Sequence, residues 1–219
     1  LEVFLSYLTL QAGGNMYEVD ANPEPFRVTL QFIHDLIYEH KILPKAALNK
    51  DFDAVNSDYM HDRVAMLRMW PFFYDVSRSN SQWFTEDKVA IALPPKGPAS
   101  GVTYAASWGW AIPKTASNIE AAKTFVYFMT SIENAPKLAQ QNTWWLNARY
   151  SVLDAVGDVG MARYLKWYSD AGVIGTRPFH SNMREAANIL EEVASAYLTE
   201  QISLDEAIKR AQDGIRALK

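Results

Sequence analysis

The stretch Tyr104-Ala-Ala-Ser-Trp-Gly-Trp-Ala-Ile-Pro-Lys-Thr-Ala-Ser-Asn-Ile-Glu-Ala-Ala-Lys-Thr-Phe-Val-Tyr-Phe-Met-Thr-Ser131 carries the strongest structural signal in this chain. Tyr104 to Ile112 is rich in β-formers and small residues and predicts an aromatic strand. Pro113 ends it. Ser117 and Glu120 have the spacing of a capping box, which satisfies two free backbone donors at a helix start. Ala121, Ala122, Phe125, Phe128 and Met129 then recur at helical spacing and predict an amphipathic helix over about 118–130.

Working outward, Leu1 to Gln11 reads as the tail of a helix ended by Gly13-Gly14. Asn22-Pro23 opens a second helix with an apolar stripe of Phe26, Leu30, Ile33 and Ile37, and Pro44 follows its end. Residues 52–61 predict a short helix. Val64–Met69 and Val89–Leu93 predict short apolar strands, with Phe72–Arg78 between them as a turn or short helix. Gly97–Gly101 is a loop. Helices are expected at 132–141, 159–170, 182–198 and 204–218, with Thr143-Trp144-Trp145 and Gly172–Pro178 as connectors. No internal repeat is present.

Composition narrows the function. At 219 residues the chain can bury a core, and 49% hydrophobic with 21% charged residues is a globular balance. A net charge of −4 without a basic block disfavours nucleic acid, because phosphate contacts need clustered Lys and Arg. The absence of Cys excludes disulfides and thiolate metal sites. No apolar run approaches the about 18 residues of a membrane span. The four His, at 34, 40, 61 and 180, lack paired metal-ligand spacing. Acid pairs such as Asp51 with Asp53, Glu86 with Asp87 and Glu191 with Glu192 read as solvated faces. A glycosidase would need two carboxylates facing each other about 5–10 Å apart. No nucleophile elbow, P-loop or dinucleotide fingerprint appears, and no cofactor is expected.

Aromatic residues make up 13% of the chain, including seven Trp. Sugar C–H faces stack on such rings while their hydroxyls meet polar groups at the rim. Any one ring is otherwise ordinary core. Alternation puts Trp108 and Trp110 on one side of their strand and Ser107 and Gly109 on the other. Trp108 and Ser107 are the binding candidates, and Trp110 is expected in the core. Trp70-Pro71-Phe72-Phe73-Tyr74 offers a second aromatic wall, or a hydrophobic plug. Arg177, before Pro178, has a guanidinium able to fork onto two hydroxyls or a carboxylate, or it is a surface loop Arg.

Several segments in order resemble the extracellular solute-binding proteins of ABC importers, in the sugar-binding group that includes the maltose-binding protein. The helix from Ser117 continues as Thr130-Ser131-Ile132-Glu133, as in that group. Asp62–Phe72 is similar to the group's Gly-x-x-Ala-Met, strand, Gly-Pro-Trp segment, with Trp70 in place of Gly and Phe72 in place of the Trp. Val89–Gly97 resembles its strand ending in Leu-Pro and a Gly loop. Asn147-Ala148-Arg149-Tyr150-Ser151-Val152 resembles its Pro-x-Arg-x-Ser-Val turn. Arg177-Pro178 and Ser203-Leu204-Asp205-Glu206-Ala207-Ile208 resemble the last lobe crossing and the last helix.

The resemblance implies an α/β, periplasmic-binding-protein-like two-lobe fold, helix-rich here. Residues 1–102 would be the first part of the C-terminal lobe, 103–155 would belong to the N-terminal lobe, and 156–219 would complete the C-terminal lobe. Leu1 aligns in mid-protein, so roughly the N-terminal half of a family member is expected to precede it. The resemblance further implies a non-enzymatic, periplasmic or membrane-tethered extracellular protein, monomeric at full length. It would bind a carbohydrate in an interlobe cleft by lobe closure and deliver it to a membrane permease. Implied ligand contacts are Trp70, Phe72, Ser107, Trp108 and Arg177. A polysaccharide-active enzyme with an aromatic cleft and a helical interaction module are the alternatives.

Overall fold

The computed structural model describes residues 1–82, 84, 85, 87–106, 108–141, 149–158 and 160–219. Its chain divides into two compact units. The first comprises Leu1–Val55, Leu93–Ala105 and Val173–Lys219, and the second Asn56–Ala92 and Ala106–Gly172.

The first unit is built on four helices: α1 (Glu2–Gln11), α2 (Glu24–Tyr38), α9 (Met183–Leu198) and α10 (Leu204–Arg216). The predicted stripe of α2 is buried as expected. Phe26, Leu30, Ile33 and Ile37 share one core with Leu5, Leu190, Ala194, Leu198, Ala211 and Ile215. Each large side chain here contributes about 1.5–3 kcal/mol of burial. Gly13, at φ +94°, closes α1, and the Gly14 N–H reaches back to the Thr9 carbonyl at 3.0 Å. Only glycine takes this backbone turn without strain. The buried Gln11 then holds the following loop. Its side-chain nitrogen donates to the Pro95 carbonyl at 2.8 Å, and its own carbonyl accepts from Ala99 N–H at 2.9 Å. Ser203 caps α10 by accepting from the Glu206 N–H.

Two short parallel strands complete this unit, β1 (Thr103–Ala105) and β2 (Ile174–Thr176), with Tyr104 opposite Gly175. A Cβ on Gly175 would come within 2.7 Å of Val102, so the close approach needs glycine there. Both strands sit where the chain passes from one unit to the other, at Ala105–Ala106 and Gly172–Val173.

The second unit holds α4 (Phe72–Asn80), α5 (Ile119–Thr130), α6 (Ala135–Gln141), α7 (Tyr150–Val156) and α8 (Gly160–Asp170), while α3 (Phe52–Met60) spans the division. One small core joins Ala135, Ala139, Val152, Val156 and Ala162. Another gathers Tyr74, Phe84 and Val89, with Tyr164 of α8 packed on it.

Several expectations are corrected. Residues 64–69 and 89–93 are not strands, and the strand expected over 104–112 stops at Ala105. A strand needs a ladder partner, and short apolar runs do not identify their state by periodicity. Met66 shows the outcome, being 86% exposed. The start of α5 is capped by Asn118, whose side chain accepts from the Ala121 N–H at 2.9 Å, rather than by the Ser117–Glu120 box. Asn is at least as good a cap as Ser, and Glu120 pairs with Lys123 instead. Strand β2 lies in what reads as a connector, and α7 begins at Tyr150, inside the segment 147–152 that reads as a turn.

Residues 56–92 and 156–172 both lie in the second unit. There α4 packs on α8. Tyr74 and Tyr164 meet edge-on at 5.0 Å, and the Asp75 carboxylate accepts the Met161 N–H at 3.3 Å.

Leu190→Ala should therefore cost about 2–5 kcal/mol, whereas Ile42→Ala, at a position 69% exposed, should cost under about 0.5 kcal/mol. Denaturant midpoints of the two variants check this. Helix-end stability should fall by about 1 kcal/mol in Asn118→Ala and stay unchanged in Ser117→Ala, as read from exchange rates of the first α5 amides.

Candidate functional site

Each expected ligand contact has a defined surrounding, except Ser107, which lies outside the described residues, as do Trp144 and Trp145. Pro71 stands at the N-terminal cap of α4, where its fixed φ suits a helix start. The aromatic run beside it then sorts by helix geometry. Phe73 and Tyr74 are buried against Tyr59 and Phe84. Trp70 and Phe72 are left half-buried. Phe73 and Tyr74 thus form a hydrophobic plug.

Trp108 is 95% exposed. Trp110, expected in the core, is 47% exposed and meets Phe125 edge-on at 5.7 Å. The reason is that no strand forms around it to bury alternate side chains.

Arg177 belongs to the first unit and follows β2. Its Nη2 lies 3.3 Å from Glu2 Oε2 in the first turn of α1. The other Glu2 oxygen accepts from the Tyr17 hydroxyl at 2.8 Å. The Arg177 guanidinium sits 5.8 Å from the centre of the Tyr104 ring, on neighbouring β1. Tyr17 and Tyr104 are almost wholly buried. Burial, and then the hydrogen bond to Glu2, push the Tyr17 phenol well above the ordinary tyrosine range. Four segments thus hold one guanidinium against one carboxylate. Arg177 is 39% exposed along its side chain, so it still faces solvent.

The sequence singles out Arg177 but not its neighbours Glu2, Tyr17 and Tyr104. Glu2 and Arg177 lie 175 positions apart, and no spacing pattern links them. Two surface depressions, of about 310 and 420 Å³, are lined by Leu153, Asp154, Asp158 and Lys166 and by Arg27, Gln31, Phe32 and Leu204. Of the expected contacts among the described residues, Trp70, Phe72, Trp108 and Arg177 line neither. Among the described residues, no three His, Asp or Glu gather as a metal site would require. No helix there is long and apolar enough to cross a membrane.

The Tyr17 environment predicts a pH dependence. Up to about pH 10 the phenol is protonated in the folded and unfolded chain alike. Above that, the unfolded chain releases the proton while the folded chain retains it. Stability should therefore fall as pH rises past 10. Urea midpoints between pH 8 and 11 should show this fall, and Tyr17→Phe should flatten it. Tyr59 and Tyr197, also raised by burial, keep a residual slope.

The profile of a family described as bacterial extracellular solute-binding protein matches residues 1–136. Among solved structures, maltose-bound MalE3 of T. maritima is similar to this chain with a TM-score of 0.77 and 25% sequence identity. The match covers 99% of this chain and 56% of that one, so this chain spans little more than half the length of that relative. No curated protein matches. The fold is accordingly periplasmic-binding-protein-like, in a helix-rich portion. With the family profile covering well over half its residues, the chain belongs to the bacterial extracellular solute-binding proteins.

Proposed function

We propose that this chain is the C-terminal portion of a carbohydrate-binding component of an ABC import system, acting outside the cytoplasm or tethered to the membrane surface. The observation that carries this reading is the likeness of 99% of the chain to a maltose-bound protein. The ligand is bound and released intact. In the whole protein, monomeric and two-lobed, the sugar contacts both lobes and stabilises their closed arrangement, which a membrane permease reads. The chain crosses between lobes at its two short strands.

The proposed contacts are Trp70, Phe72, Ser107, Trp108 and Arg177. Phe72 keeps a stacking face but has no N–H donor, so it offers a sugar ring only its π-surface. Trp108 presents its indole to solvent almost completely. The pairing of Arg177 with Glu2 bears on ligand charge. A guanidinium whose charge is matched at 3.3 Å donates hydrogen bonds without providing a net positive site, which favours a neutral sugar over a uronic acid.

Calorimetry on the protein with maltose, maltotriose and a glucuronate-containing disaccharide tests this. Neutral sugars should bind and be recovered uncleaved, and the acidic sugar should bind more weakly. Trp108→Ala should weaken the neutral ligand by about tenfold with an unchanged melting temperature. Unchanged affinity would remove Trp108 from the site. Sugars returned as cleaved products would replace binding with catalysis.

A further inference from the structure

Helices α7 and α8 meet along a seam bridged by a run of polar pairs. The Tyr150 hydroxyl lies 3.1 Å from Ser169 Oγ. One turn further along α7, Asp154 Oδ1 lies 3.6 Å from Lys166 Nζ, which also reaches Asp170 at 3.8 Å. Past the end of α7, Asp158 Oδ1 lies 3.9 Å from Arg163 Nε. Successive turns of α7 thus pair with successive turns of α8 in reverse order. Val152, Val156 and Ala162 are buried in the core that the two helices share. The depression of about 310 Å³ lies along this seam, lined by Asp154 and Asp158 with Arg163 and Lys166. Its size is at the lower end of the about 300–1,000 Å³ of small-ligand clefts.

Two exposed aromatic residues adjoin this lining. Tyr150 stands one turn before Asp154 and is 72% exposed, and Trp167 follows Lys166 and is 41% exposed. The Trp167 ring lies nearly parallel to that of Tyr168, at 15° with 5.8 Å between centres. Tyr168 is itself held, its hydroxyl donating to the Ala92 carbonyl. The indole is therefore fixed before any ligand arrives, and binding costs it little side-chain freedom.

Stability does not account for this arrangement. The charged side chains of the pairs are 37–78% exposed, and exposed ion pairs contribute little. An indole left partly in water gives up some of the stabilisation that full burial would bring. What the pairs do is hold donors and acceptors in place beside flat rings, with Arg163 and Lys166 nearly balancing the three carboxylates. That combination fits a ligand with many hydroxyls, an apolar ring face and no charge. A phosphate-bearing group would meet an excess of carboxylates.

We propose that the α7–α8 seam is a second saccharide-binding site, with Trp167 and Tyr150 as stacking faces and Asp154 and Lys166 as hydrogen-bond partners of the sugar hydroxyls. It shares no residue with the five contacts proposed above, so failure of those contacts leaves it standing.

The test is a titration of the protein with maltotriose, cellotriose and xylotriose, each to about 10 mM, enough to show a dissociation constant of about 1 mM. NMR follows the indole N–H resonance of Trp167, assigned by its loss in Trp167→Phe. The resonance should move and saturate with at least one of the three sugars. Tyr150→Ala and Lys166→Met should each weaken that binding about five- to tenfold. Both side chains are largely exposed, so the fold should tolerate either change. A resonance that none of the three sugars moves would overturn the proposal. So would a shift that both substitutions leave unchanged, since its source would lie elsewhere. A shift produced by phosphatidylcholine vesicles and by none of the sugars would make the ligand a lipid headgroup and likewise overturn it.

Discussion

The burial of one apolar stripe on α2 is the constraint on which the first unit depends. Phe26, Leu30 and Ile33 are fully buried, and so are Leu190, Leu198 and Ile215 from the far end of the sequence. This core forms only when residues separated by the whole intervening chain meet. The segment from Asn56 to Gly172 is then largely an excursion whose ends are held by that core. The loop held by Gln11 and the parallel pair β1–β2 tether its exit and return. Folding of the first unit is thus strongly non-local, with the loop-closure cost that this implies.

The same geometry explains why Arg177 meets Glu2. Arg177 follows β2, Tyr104 lies on β1, and Glu2 opens the helix that packs on β1. A partly exposed ion pair of this sort adds little to stability, on the order of 0.2–1 kcal/mol. Its greater effect is on what the surface presents. An unmatched guanidinium would attract anions, whereas this one, held by a carboxylate that Tyr17 also satisfies, presents oriented donors. Orientation without net charge is what a hydroxyl-rich ligand needs from its polar contacts.

Helices were far more legible in the sequence than strands, for a physical reason. The stripe of α2 and the Gly13-Gly14 stop of α1 are local signals, and each appears where its residues predict it. A strand is defined by its partner, and Val64–Met69 shows no partner in its own residues. Strand β2 was hidden for the opposite reason. Its three residues, Ile174, Gly175 and Thr176, make no pattern until Thr103–Ala105 lies beside them. The aromatic sites were legible only in part. Residue type marked Trp70–Tyr74 as wall or plug, but the helix phase of α4 sorts Phe73 and Tyr74 inward. Glu2 and Tyr17 carried no mark at all, since their role exists only once Arg177 arrives from the other end.

Among the described residues, Trp108 and the α5 pair Phe125 and Phe128 are physically different kinds of exposed aromatic, and their neighbours separate them. Trp108 is followed by Gly109, where an added Cβ would meet nothing within 4 Å. Its ring stands open beside polar backbone, which suits a ligand that needs a flat apolar face and nearby hydrogen bonds. Phe125 and Phe128 instead lie one turn apart on a regular helix whose backbone groups are already paired along its length. That surface offers apolar area and few free donors. It therefore suits polypeptide side chains, which can bury area without new polar contacts, better than a sugar, whose many hydroxyls would lose water and gain no partners in return.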